Sequence, residues 1–96
     1  MLELTPEAVR AVVEFVVGHD AGQAAGLRIS PGPPSTSEPA WNYSVEHEPF
    51  EGDVLIEEGH ARVFVDPDAA KALEHAVLDA HVHEQTLETH FIVRLR

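Results

Sequence analysis

The sequence contains no cysteine. That absence removes disulfides, thiolate nucleophiles, thiol redox chemistry and cysteine zinc sites together, so stability has to come from packing. Cations are scarce as well: six Lys and Arg stand against 17 Asp and Glu, for a formal net charge of -11. A surface of that sign repels nucleic-acid phosphates and anionic lipid headgroups, which argues against both as partners. No apolar run approaches a membrane span, and no basic stretch followed by an apolar core opens the chain. The expectation is a soluble, cytoplasmic protein. A phosphate loop, a nucleophile elbow and a His-Glu-x-x-His helix are also missing, and the chain reads as non-enzymatic.

What is present suffices for one domain over residues 1–96, with 44% hydrophobic residues for a modest core. The seven histidines are the groups that titrate near neutrality. Thr5-Pro6-Glu7 opens a helix, with Thr as N-cap, Pro at the first helical position and Glu at the positive end of the dipole. Ala8, Val12, Phe15 and Val16 then recur at helical spacing, predicting a helix from Thr5 to Val17. A short strand over Leu27 to Ser30 leads into a Pro-rich loop at 31–39, whose prolines lack the amide donors of regular structure. Trp41 to Glu46 reads as a strand, and Asp53 to Glu57 with Ala61 to Val65 as a hairpin closed by Glu58-Gly59-His60. Asp66-Pro67-Asp68 caps a short helix through Leu73. Val77 to His83 and Glu88 to Leu95 form a last hairpin. The order α-β-β-β-β-α-β-β, with short turns between strands, predicts an α+β fold of small, mostly antiparallel or mixed sheets with two helices.

Four segments, in this order and spacing, resemble the HesB/IscA-like family of A-type iron-sulfur carriers. They are Leu4-Thr5-Pro6-Glu7-Ala8-Val9-Arg10, Gly26-Leu27-Arg28-Ile29-Ser30, Arg62-Val63-Phe64-Val65-Asp66-Pro67 and Leu78-Asp79. The resemblance implies the compact HesB-like domain of two small curved sheets with packed helices, a place near iron-sulfur cluster assembly, a protein partner of unspecified identity, and a homo-oligomer. Cluster-carrying members of that family use one cysteine in a glycine-rich loop after the first strand and two more in a C-terminal tail. Here Pro31 to Pro39 occupy the loop's place, with Ser35, Thr36 and Ser37 as the nearest small polar residues, and the tail's counterpart would follow Arg96. A hydroxyl is a hard, weak donor that stays protonated near neutrality and does not replace a thiolate on sulfide-bound iron. The expectation is therefore a cysteine-less accessory or regulatory member with no cofactor, acting by protein contact.

A second reading rests on the last hairpin. Period two puts Val77, Asp79, His81 and His83 on one face of the strand and Leu78, Ala80 and Val82 on the other. A four-residue turn then brings His90 beside His81 and Glu88 beside His83. Asp79, His81, His83 and His90 make a candidate divalent metal site for zinc, iron or nickel, set against the plainer reading of a solvent-facing hairpin. Glu46, His47, Glu48, Glu51, Asp53, Glu57, Glu58 and His60 read as a solvated acidic rim. Trp41 and Tyr43 read as core residues, with a protein-facing patch as the alternative.

Overall fold

The computed structural model describes residues 1–18, 22, 24–32, 41–82, 85 and 89–95, and within its strands not the side chains of Val82 and Leu95. Its elements run β1 (Glu3–Leu4), α1 (Pro6–Gly18), β2 (Gly26–Pro31), β3 (Trp41–Glu46), β4 (Val54–Glu58), β5 (Ala61–Val65), α2 (Pro67–Ala72), β6 (Ala76–Val82) and β7 (Thr89–Leu95). The expected α+β order is present with one addition, β1. Two residues are too few for an alternation to show in sequence. The strand exists because Glu3 and Leu4 lie in register with Val77 and Leu78 of β6.

Two sheets form, β1-β6-β7 and β3-β2-β5-β4. The three hairpin pairings are antiparallel, whereas β1 with β6 and β2 with β5 are parallel. Helix α1 starts as the sequence predicts: the Thr5 hydroxyl accepts a bond from the Ala8 amide at 3.1 Å, satisfying one of the orphan donors of the first turn. It buries Ala8, Ala11 and Val12 and touches β1 and β6 of one sheet and β2 and β5 of the other. One apolar cluster consequently runs from Leu4 and Leu78 through Val12 to Leu27, Ile29, Val63 and Val65. Trp41 and Tyr43 pack against its edge, in agreement with the core reading. Phe91 of β7 meets Phe15 edge-on at 5.8 Å and Tyr43 at 5.3 Å, so an aromatic bridge joins the helix to both sheets. Burial raises the Tyr43 phenol above its ordinary pKa.

Two details adjust the sequence reading. Pro31 belongs to β2 rather than to the loop, opposite Trp41. A proline is accommodated there because the pairing of β2 with β5 covers only Leu27 to Ile29, and Pro31 lies past its end. Residues 33–39 of the Pro-rich loop, like His19 and Asp20, lie outside the described residues. The β4–β5 turn is closed by Gly59 at φ 60°, the left-handed conformation that glycine adopts without a Cβ penalty.

The acidic rim divides. Glu48, Glu51, Glu57, Glu58 and His60 are exposed, but the Asp53 side chain has no accessible surface and is paired with Arg28, itself 11% exposed. Arg28 donates from Nε and Nη2 to the two Asp53 oxygens at 3.0 and 3.1 Å, and from Nη2 to Asp66 at 3.2 Å. Asp53 also accepts from the Phe50 amide at 2.9 Å, and the Phe50 ring lies 4.0 Å from the guanidinium carbon. Asp66 uses its other oxygen to cap α2 through the Asp68 and Ala69 amides. One guanidinium thereby fastens β2, the turn before β4 and the β5–α2 junction together. Its pKa is raised chiefly by the Asp53 hydrogen bond and opposed by desolvation.

Candidate functional site

The outer face of the β1-β6-β7 sheet gathers the polar residues that the last hairpin's alternation singles out. Ala76 and Leu78 are buried and Ala80 packs against the core, so Val77, Asp79 and His81 share the opposite face. The β6–β7 register sets Asp79 opposite Ile92 and His81 opposite His90. Both histidines are exposed. The sequence expectation that His90 would lie beside His81 corresponds to this register, while His83 and Glu88 lie outside the described residues. Among the described residues, no three His, Asp or Glu side chains are arranged to hold a metal ion.

Asp79 is committed elsewhere. Because β1 runs parallel to β6, the chain delivers Thr5 to the side of Asp79 as it enters α1. The Thr5 hydroxyl donates to Asp79 Oδ1 at 2.7 Å, and the Ala80 amide reaches the same oxygen at 2.8 Å. Arg94 of β7 pairs with Oδ2 at 2.8 Å. Thr5 passes a hydrogen-bond chain from the first turn of α1 to β6, and Asp79 extends it to β7. The Thr5 hydroxyl, then the Ala80 amide and the charges of Arg94 and His81, hold the Asp79 carboxyl below the usual carboxylate range against a desolvation that opposes them.

A carboxyl whose pKa falls on folding stabilises the fold above its unfolded-state value and loses that contribution as pH drops through the folded-state value. Wild type should therefore exceed an Asp79→Asn variant in stability at neutral pH. The gap should close as the pH is lowered below about 4. Urea unfolding of the two proteins at a series of pH values measures it, and a gap that widens in acid would contradict the assignment.

A concave feature of about 460 Å³ lies where Leu2, Val54, Ile56, Val65 and Ala70 converge. Among the described residues, the lining is mostly apolar, with Lys71 and Glu74 as its charged members. Among the described residues, no helix is long and apolar enough to cross a membrane.

Compared with solved structures, the chain adopts the fold of IscA and SufA. It superposes on IscA with a [2Fe-2S] cluster at a TM-score of 0.78 and 22% identity, covering 99% of this chain and 85% of that one. It matches Escherichia coli SufA, involved in biosynthesis of iron-sulfur clusters, at 0.77 and 22%, over 98% and 79% of the two chains. A protein from Aquifex aeolicus, solved in solution, gives 0.78 and 22% over 99% and 91%. No protein-family model matches the sequence, and no curated protein matches it. The donor set does not fit a cluster: Met1 to Arg96 supply no thiolate, and the sulfur they hold is the thioether of a single methionine, Met1.

Proposed function

We propose that this chain is a cysteine-less member of the HesB/IscA-like family that serves iron-sulfur cluster assembly in the cytoplasm by protein contact, as a non-enzymatic accessory or regulatory component. The observation that carries the reading is the pairing of a carrier fold over 99% of the chain with the absence of any cysteine in it. Iron bound to sulfide is a soft, thiolate-seeking centre, and the hydroxyls, carboxylates and imidazoles of Met1 to Arg96 do not substitute for sulfur donors. What such a fold can still offer is its surface.

Two measurements test the proposal. Anaerobic reconstitution with iron and sulfide, followed by desalting, should leave the protein without visible-region cluster absorption. A stable chromophore held on this polypeptide would sink the claim that it cannot ligate a cluster. Sedimentation of the protein with a purified, cysteine-bearing carrier of the IscA or SufA type should show a heteromeric species at micromolar concentrations. If the two proteins sediment independently, the accessory role falls while the missing ligation stands.

A further inference from the structure

We propose that His81 and His90 form a two-imidazole site for a divalent transition-metal ion of the zinc, nickel or copper class on the outer face of the β1-β6-β7 sheet. The inference does not depend on the accessory role, because its donors are nitrogen and its location is a strand ladder rather than the ends of the chain's loops.

The two residues are direct partners in the antiparallel β6–β7 register, and both are exposed. Directly opposed residues hold their Cβ atoms about 4.5–5.5 Å apart on one face of the sheet. Two nitrogens bound to a tetrahedral ion at about 2.1 Å sit about 3.4 Å from each other, a separation that two imidazoles on such Cβ atoms reach by rotation about their side-chain torsions. The ladder fixes the backbones, so binding orders two short side chains and leaves the strands as they are. A ligating imidazole uses one nitrogen and keeps the other for a hydrogen bond.

Asp79 is left out of the ligand set. Its two oxygens are taken by Thr5, the Ala80 amide and Arg94, and recruiting it would break the contact that anchors the start of α1. Its charge still lies near the pair, since Asp79 and His81 feel each other electrostatically, and a carboxylate beside a cation site favours the bound ion. Imidazole donors with open remaining positions suit zinc, nickel and copper better than magnesium or calcium, which prefer oxygen. The remaining coordination positions are filled by water or by a donor from another molecule.

The test uses metal-free full chain titrated with Zn²⁺ and, separately, Ni²⁺, with calorimetry and imidazole NMR resonances as readouts. The expected result is one ion per chain with micromolar affinity, the His81 and His90 resonances moving together. Affinity should fall about tenfold or more in each of His81→Ala and His90→Ala, and stay unchanged in His75→Ala, a residue outside the pair. Circular dichroism checks that the variants remain folded, and the wild-type resonances give the answer where one does not. Binding no tighter than millimolar, binding that survives both substitutions, or a shift confined to other histidines overturns the site.

Discussion

Replacing Arg28 with alanine should destabilise the protein by about 3–5 kcal/mol, the usual cost of removing one partner from a buried ion pair. The magnitude follows from what is left behind. Asp53 has no accessible side-chain surface, so without the guanidinium its carboxylate keeps the Phe50 amide at 2.9 Å but loses its countercharge. Asp66 loses the same donor but is 23% exposed and still caps α2. Phe50 loses the cation beneath its ring. In thermal unfolding the loss corresponds to a melting point lowered by more than about 10 °C. Arg28→Lys should recover only part of it, because an ammonium keeps the charge but cannot grip both Asp53 oxygens in the planar fork that the 3.0 and 3.1 Å bonds describe. Unlike a surface pair, this deficit should be nearly insensitive to added salt. An Arg28→Ala protein as stable as wild type would show that the anchor contributes nothing.

Phe64→Ala is the second large expected effect, again about 3–5 kcal/mol by the usual cost of truncating a buried phenylalanine. Phe64 is fully buried on the face of its sheet opposite Val63 and Val65, flanked in register by Arg28 of β2 and Leu55 of β4. Its ring fills the space above Gly26: a Cβ there would come within 2.9 Å of the ring and 2.7 Å of the Arg62 carbonyl oxygen. Gly26→Ala alone should therefore cost about 1–3 kcal/mol through overpacking. In the double variant the ring clash disappears while the carbonyl clash stays, so the combined loss should be smaller than the sum. A double-mutant cycle in urea reads that coupling directly. Strict additivity would mean that the ring does not rest on Gly26.

Most of this architecture was legible along the chain where local chemistry decides it. Thr5-Pro6-Glu7 marks its helix through capping alone, and the Ala8 amide bond to Thr5 is the contact that the capping pattern implies. Alternation identified the buried and outer faces of β6, and with a short turn it also placed His90 opposite His81. What could not be read was delivered by distant segments. Asp53 sits in an acidic run in which Glu48, Glu51, Glu57 and Glu58 are exposed, and the arrival of Arg28, 25 residues earlier in the chain, separates it from them. Asp79 is on the face the period predicts, yet its partner Thr5 is brought to it by the preceding two-residue strand, which leaves no periodic trace. The segments that carry the family resemblance include Gly26, Arg28, Phe64 and Asp66, the residues that build the anchor and its adjoining packing. The resemblance thus rests partly on side chains that hold the fold together, which explains how the fold is kept while sulfur donors are absent.

The parallel seam between β1 and β6 bears on how the protein is made. The four-stranded sheet draws on the continuous stretch Gly26 to Val65 and has every strand it needs once that stretch has left the ribosome. Thr5 must wait for a residue 74 positions later, at a loop-closure cost that rises only logarithmically with the length spanned. Thr5 and β1 therefore find their partners only after β6 has been made, and a chain arrested before β6 would leave uncovered the apolar part of α1 that packs against that strand.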